Sequence, residues 1–172
     1  MIELFLFMTA MGFSFAAIEP DFEPMSAEIA DAIDESEMAE TATTLPPPED
    51  QTPTGRFLTA TEVKPILGAT KASWIAVREW DGMDLIYFTQ IESWRCGLHA
   101  VYYGVNGAPA ETPWEMEPCY LDTAAPNAIK AEGRLPYTEL PLKSVESVSI
   151  RIIYDDNTEE SAEFARNMVL MP

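Results

Sequence analysis

Hydrophobic and polar positions change rhythm three times along the chain. Residues 4–17, "LFLFMTAMGFSFAA", are almost unbroken apolar; residues 18–55 scatter a few apolar positions among acids and prolines; from Arg56 onward short apolar runs alternate with polar ones. A run of that first length is too short to span a bilayer as a regular helix and fits the apolar core of a secretory signal. Ser14-Phe15-Ala16 supplies the small residues of a cleavage site, although Glu3 stands where a signal carries Lys or Arg. Residues 1–17 are therefore expected to be a signal peptide. A retained N-terminal anchor and a buried helix of a cytoplasmic protein are the alternatives.

In the second stretch, Met25, Ile29 and Ile33 recur four apart behind Ser26, the pattern of a short amphipathic helix with a serine cap. Residues 18–55 carry eleven acids, six prolines and no base, a composition that buries too little surface to fold. The segment reads as an acidic, disordered linker, stiffened towards its end by "PPPED".

The third stretch reads as strands. "VSIRIIY", residues 148–154, alternates with period two and is the clearest strand signal; "DDNT" after it is a hairpin turn in which Asn157 takes the left-handed conformation. Ala162, Phe164, Met168 and Leu170 continue the period, so a returning strand is expected over 159–170, against the helix preference of Glu, Ala and Arg. "SWIAVREW" and "DLIYFTQI" form a second hairpin around "DGMD". A four-residue loop would set Trp80 opposite Leu85 and Val77 opposite Phe88. A two-residue loop would set Glu79 against Asp84, two like charges face to face. The longer loop is expected on that ground, with both faces of the hairpin covered. "CGLHAVYYGV" is the third strand, placing Cys96, Leu98, Ala100 and Tyr102 on one face and His99 on the other. "TATEVKPILG" gives a helical turn ended by Pro65 and Gly68, and the prolines after Cys119 mark a long loop. The fold class expected is mainly β: a small antiparallel sandwich or partly open barrel over residues 56–172.

Charge narrows the functions. The net charge is −19, of which −12 lies before Arg56, where there is no base at all. Such a chain repels nucleic acid and anionic lipid alike. Cys96 and Cys119 are the only cysteines, and His99 is the only histidine. A thiol and an imidazole on opposite strand faces form no catalytic dyad, and these three residues fall short of a zinc set. In an exported chain the two cysteines are expected to form one disulfide, stabilising the fold by about 3 kcal/mol.

No catalytic, cofactor-binding or metal-binding residue is assigned. Glu111, Glu115 and Glu117, or Asp155, Asp156, Glu159 and Glu160, resemble a hard-cation set only by composition. Arg78 among aromatic residues suggests a cation–π stack. Trp74, Arg78, Trp80, Tyr87, His99 and Trp114 are the candidate binding face. The function expected is a non-catalytic binding or accessory module of a bacterial-type cell envelope, periplasmic or secreted, whose partner is another envelope protein. Its oligomeric state is not legible in the sequence. The alternative is a periplasmic hydrolase drawing its acid and base from Asp81, Asp84, Glu115, Asp122 and Glu132.

Overall fold

The computed structural model describes residues 45–172; the expected signal and the linker up to residue 44 lie outside the described residues. Seven strands make two antiparallel sheets. Strands β1 (Ala76–Trp80), β2 (Met83–Tyr87) and β5 (Tyr137–Pro141) form one sheet in the order β1-β2-β5. Strands β3 (Leu98–Val105), β4 (Thr112–Trp114), β6 (Ser147–Tyr154) and β7 (Glu159–Ala165) form the other, in the order β4-β3-β6-β7. The arrangement is sandwich-like and no barrel closes among the described residues. Helix α1 (Ala60–Ala69) and two short helices, α2 (Thr89–Glu92) and α3 (Arg166–Val169), complete it.

The core follows from the strand period. Val77, Ile86 and Phe88 meet Val101, Val148, Ile150, Ile152, Tyr154 and Phe164, all buried. Helix α1 adds Ala60, Val63 and Leu67, one stripe at three- and four-residue spacing. That stripe carries the helix straight through Pro65, so the expected stop there is corrected. Proline removes one N–H bond and crowds the preceding turn, but burial of Val63 before it and Leu67 after it holds both sides in register. The Glu62 carboxylate secures the helix start by accepting the N–H groups of Thr54 (3.0 Å), Gly55 (2.6 Å) and Leu58 (2.9 Å). Burial works against ionisation of Glu62, yet these donors hold it down at about 2.

The β1–β2 hairpin corrects the expected register. It turns on two residues, Asp81 (φ 50°) and Gly82 (φ 78°), both left-handed as the tight hairpin turn requires. Trp80 therefore faces Met83, Val77 faces Ile86, and Glu79 does stand opposite Asp84. A cation removes the objection. Arg166, at the start of α3, holds Asp84 through two nitrogens (2.6 and 2.9 Å) and Glu79 through one (2.7 Å). Strand β2 also ends sooner than expected, because the chain turns into α2 after Phe88 and buries Ile91 and Glu92.

Three further expectations change. Cys96 lies in a single helical turn, Arg95–Gly97, ahead of β3. A bulge between Leu98 and Ala100 then shifts the alternation, so Leu98 and Val101 are buried and Tyr103 and Val105 pack on the core. The expected strand over 159–170 exists as β7 but stops at Ala165; Met168 and Leu170 are exposed on and beyond α3. The folded part also begins before Gly55, since Pro46, Glu49 and Gln51 are bonded to the β6–β7 turn.

The expected disulfide is present between Cys96 and Cys119, with Cα atoms 5.1 Å apart. Beside it the buried Arg95 donates to the carbonyls of Glu92, Pro118, Asn127 and Ala128, all within 3.0 Å. Bridge and guanidinium together tie the strandless 115–136 segment to the start of β3.

Two outcomes follow. Replacing both cysteines with Ala lowers stability by about 2–5 kcal/mol in denaturant unfolding, the usual cost of losing a native bridge. Arg166→Met leaves two carboxylates facing and one of them buried, which costs about 3–5 kcal/mol at neutral pH. The sign of its pH response is distinctive. Arg166, helped by the Val145 N–H, lowers Asp84 from its ordinary value to about 2 despite burial. In the native chain that contribution is present above the ordinary carboxylate value and is lost as pH falls towards 2. The Arg166→Met variant instead gains stability relative to the native chain on acidification, and thermal unfolding against pH reads the difference.

Candidate functional site

The β1-β2-β5 sheet buries one face on the core and leaves the other partly open, with Trp80 exposed, Arg78, Tyr87 and Tyr137 half-buried and Leu85 at the centre covered. Alternation sends Val77 and Ile86 inward and sends Arg78, Trp80, Leu85 and Tyr87 outward. Strand β5 adds Tyr137 beside Tyr87, Glu139 beside Leu85 and Pro141 beside Met83. Trp80 is 58% exposed, although tryptophan is usually among the best covered side chains. The Arg78 guanidinium lies 4.5 Å from its ring centroid, the expected cation–π stack, and the Tyr87 and Tyr137 rings pair at 5.1 Å.

Two depressions flank the tyrosine end. A cleft of about 270 Å³ is lined by Trp74, Ala76, Tyr87, Gln90 and Met171. An open groove of about 710 Å³ runs past Arg134, Leu135, Tyr137 and Glu139. The surface thus offers flat aromatic area, one stacked guanidinium and tyrosine hydroxyls, which are the groups that dominate protein–protein hot spots. It presents no thiol and no imidazole.

The six residues expected to share a binding face divide. Arg78, Trp80 and Tyr87 are together on this surface. Trp74 is fully buried, its indole N–H donated to Leu67 O at 2.9 Å, which removes it from any exposed face. Trp114 stacks on Phe88 at 4.0 Å beside the core and donates to Glu92 at 2.7 Å. His99 is on the other sheet, beneath the chain that precedes Thr52. Tyr137 is the member that sequence reading missed. "LPYTELP" carries an aromatic and a β-branched residue side by side, Tyr137 and Thr138, but the flanking prolines argued for a loop.

The carboxylates considered for acid–base or cation chemistry are dispersed. Asp84 is locked to Arg166, and Asp81 sits in the hairpin turn. Glu115, Asp122 and Glu132 are exposed in the 115–136 segment. Glu117 turns inward, where burial disfavours its charge but the N–H groups of Lys130 and Ala131 and the Tyr120 hydroxyl keep its carboxyl below the ordinary value. Around the β6–β7 turn, Asp156 pairs with Lys64, Glu159 with Arg151 and Glu160 with Lys71. Among the described residues, no three His, Cys, Asp or Glu side chains are grouped to hold a metal ion.

The fold and this surface define a disulfide-stapled β domain with an open aromatic sheet face. No protein-family model, curated protein or solved structure matches the chain. A disulfide of this kind belongs to an oxidising compartment such as the periplasm or the extracellular space. No helix among the described residues is long and apolar enough to cross a membrane.

The two tryptophans of this region respond oppositely to truncation. Trp80→Ala leaves the unfolding free energy within about 0.5 kcal/mol of the native value, because the ring is more than half exposed and lies outside the core. Trp74→Ala costs about 3–5 kcal/mol, as for a large aromatic removed from a core. Urea unfolding of both variants measures the contrast.

Proposed function

We propose that the chain is an exported, non-catalytic binding module of a bacterial-type cell envelope. In this reading residues 1–17 direct export, residues from 18 onward give reach, and the outer face of β1-β2-β5 takes a partner protein. The observation that carries it is the coincidence of an exposed Trp80 with half-exposed Arg78, Tyr87 and Tyr137 on one sheet face. Aromatic side chains bring large contact area with little rotamer entropy to lose, and arginine adds a stacked cation with several hydrogen-bond donors, so both are suited to association. The location favoured is the periplasm or the outside of the cell, with a retained N-terminal anchor as the alternative. The hydrolase reading gains no comparable support, since its carboxylates are salt-bridged or scattered over turns and loops.

The test is capture of envelope proteins by the full chain carrying an affinity tag. The native chain retains a defined partner, and Trp80→Ala combined with Arg78→Ala weakens retention about tenfold or more at an unchanged melting temperature, as hot-spot truncation does. Equal capture by both chains defeats the assignment of this face. Recovery of the intact chain, beginning at Met1, in a soluble cytoplasmic fraction defeats the export reading.

A further inference from the structure

Residues 46–51 cross the β6–β7 turn as a strap. Asn157 donates its amide nitrogen to Pro46 O (3.0 Å), and the Glu49 N–H is donated to Asp155 O (2.9 Å). Gln51 donates to Asp155 Oδ1 (2.8 Å), while its own oxygen accepts the N–H (3.0 Å) and hydroxyl (3.2 Å) of Thr61 on α1. His99 lies beneath, its side chain 6% exposed.

The hydrogen bonds fix which nitrogen of His99 carries the proton. Nδ1 is 2.9 Å from Asn157 Oδ1. Asn157 has turned its nitrogen to Pro46 O, so its oxygen faces the ring and Nδ1 must be the donor. In a neutral ring Nε2 is then a bare lone pair. That atom is buried, has no hydrogen-bond partner among the described residues, and stands 3.6 Å from Glu49 Oε1. A lone pair facing a carboxylate is repelled. One added proton at Nε2 reverses the sign and makes an ion pair between β3 and the strap.

We propose that the strap is fastened by a proton: protonation of His99 at Nε2 binds Glu49 and closes residues 46–51 onto the domain, and its loss at higher pH loosens them. An ordinary histidine side chain changes charge between about pH 5 and 8, which sets the range the experiment spans. The other charges nearby are accounted for. Asp156 is paired with Lys64 of α1, and Glu159 and Glu160 of β7 are paired with Arg151 and Lys71. Asp50, on the strap itself, is exposed and accepts only from Thr52. Asp155 has no cation paired with it among the described residues, its Oδ2 buried and without a partner there. Burial raises its carboxyl above the ordinary value, so it acts in the same direction, and the Glu49→Gln variant separates the two groups. Opening the strap frees six residues, adding up to about 20 Å of extended chain to the linker before it.

The experiment is hydrogen exchange on the full chain, read as the protection factor of the amide at position 49 relative to the unfolded chain. In the native protein protection is higher by about threefold or more at about pH 5.5 than at about pH 7.5. Glu49→Gln offers an amide N–H to the neutral Nε2, so its strap is held at both values and the pH dependence disappears. Position 49 is 64% exposed in its side chain, so the variant keeps its fold and its melting temperature. Equal protection of the native strap at the two pH values overturns the proposal. So does an undiminished pH dependence in Glu49→Gln, which would move the proton to Asp155.

Discussion

The fork between Arg166 and Asp84 sits where the two sheets are joined. Asp84 belongs to β2 in the three-stranded sheet, and Arg166 follows β7 in the four-stranded one; Val145, just before β6, adds its N–H to Asp84 and its carbonyl to Arg166. Three chain segments therefore meet on one carboxylate, and β1 joins them through Glu79 on the same guanidinium. A fully buried carboxylate without a cation would be strongly destabilising, and the bidentate guanidinium is the partner whose geometry fits it best. The same fork tolerates Glu79 opposite Asp84, because the third nitrogen contact is made there. Several features then follow: a two-residue turn, a hairpin register that sends Trp80 and Arg78 outward, and an α3 that cannot continue β7.

That dependence also explains which parts of the fold could be read from sequence. Strands β3 and β6, the β6–β7 turn and the disulfide were legible because their signals are local: period two, an Asn in the left-handed position, and two cysteines in a plausible redox setting. The β1–β2 register was not, because the residue that decides it lies more than eighty positions away. A pairwise charge rule applied to Glu79 and Asp84 had no means of including Arg166. Strands β4 and β5 were missed for another reason. Both contain or adjoin prolines, and both are sheet edges, where a missing N–H costs little.

The candidate face was half legible. Arg78, Trp80 and Tyr87 follow from alternation in the hairpin, and the open side could have been inferred had the neighbouring strand been recognised. Trp74 and Trp114 show the limit of treating tryptophan as a surface signal. Each donates its indole N–H to a specific acceptor, Leu67 O and Glu92 Oε1, and each is thereby drawn towards the interior. Trp80 has no acceptor of that kind among the described residues and is left over the sheet. An acceptor is one way to draw a tryptophan inward; Trp94 packs against the core with its indole nitrogen buried and unpartnered among the described residues, its ring meeting Phe57 edge-on at 5.2 Å, so ring packing alone also suffices.

Charge gives the strap its particular chemistry. Glu49 and Asp50 are the last acids of a run of twelve carboxylates unrelieved by any base, and they meet the domain at a turn that is itself acidic. Lysine and arginine neutralise that turn one for one at Asp156, Glu159 and Glu160. Nothing comparable is available for Glu49 or Asp155. The residue placed between them is the chain's only histidine, the one side chain whose ordinary titration lets it be neutral or cationic under mild conditions. A lysine there would hold the strap permanently, and an apolar residue would leave two carboxylates in mutual repulsion. Histidine makes closure conditional, so whether residues 46–51 stay fastened to the domain becomes a function of the medium in which the domain works.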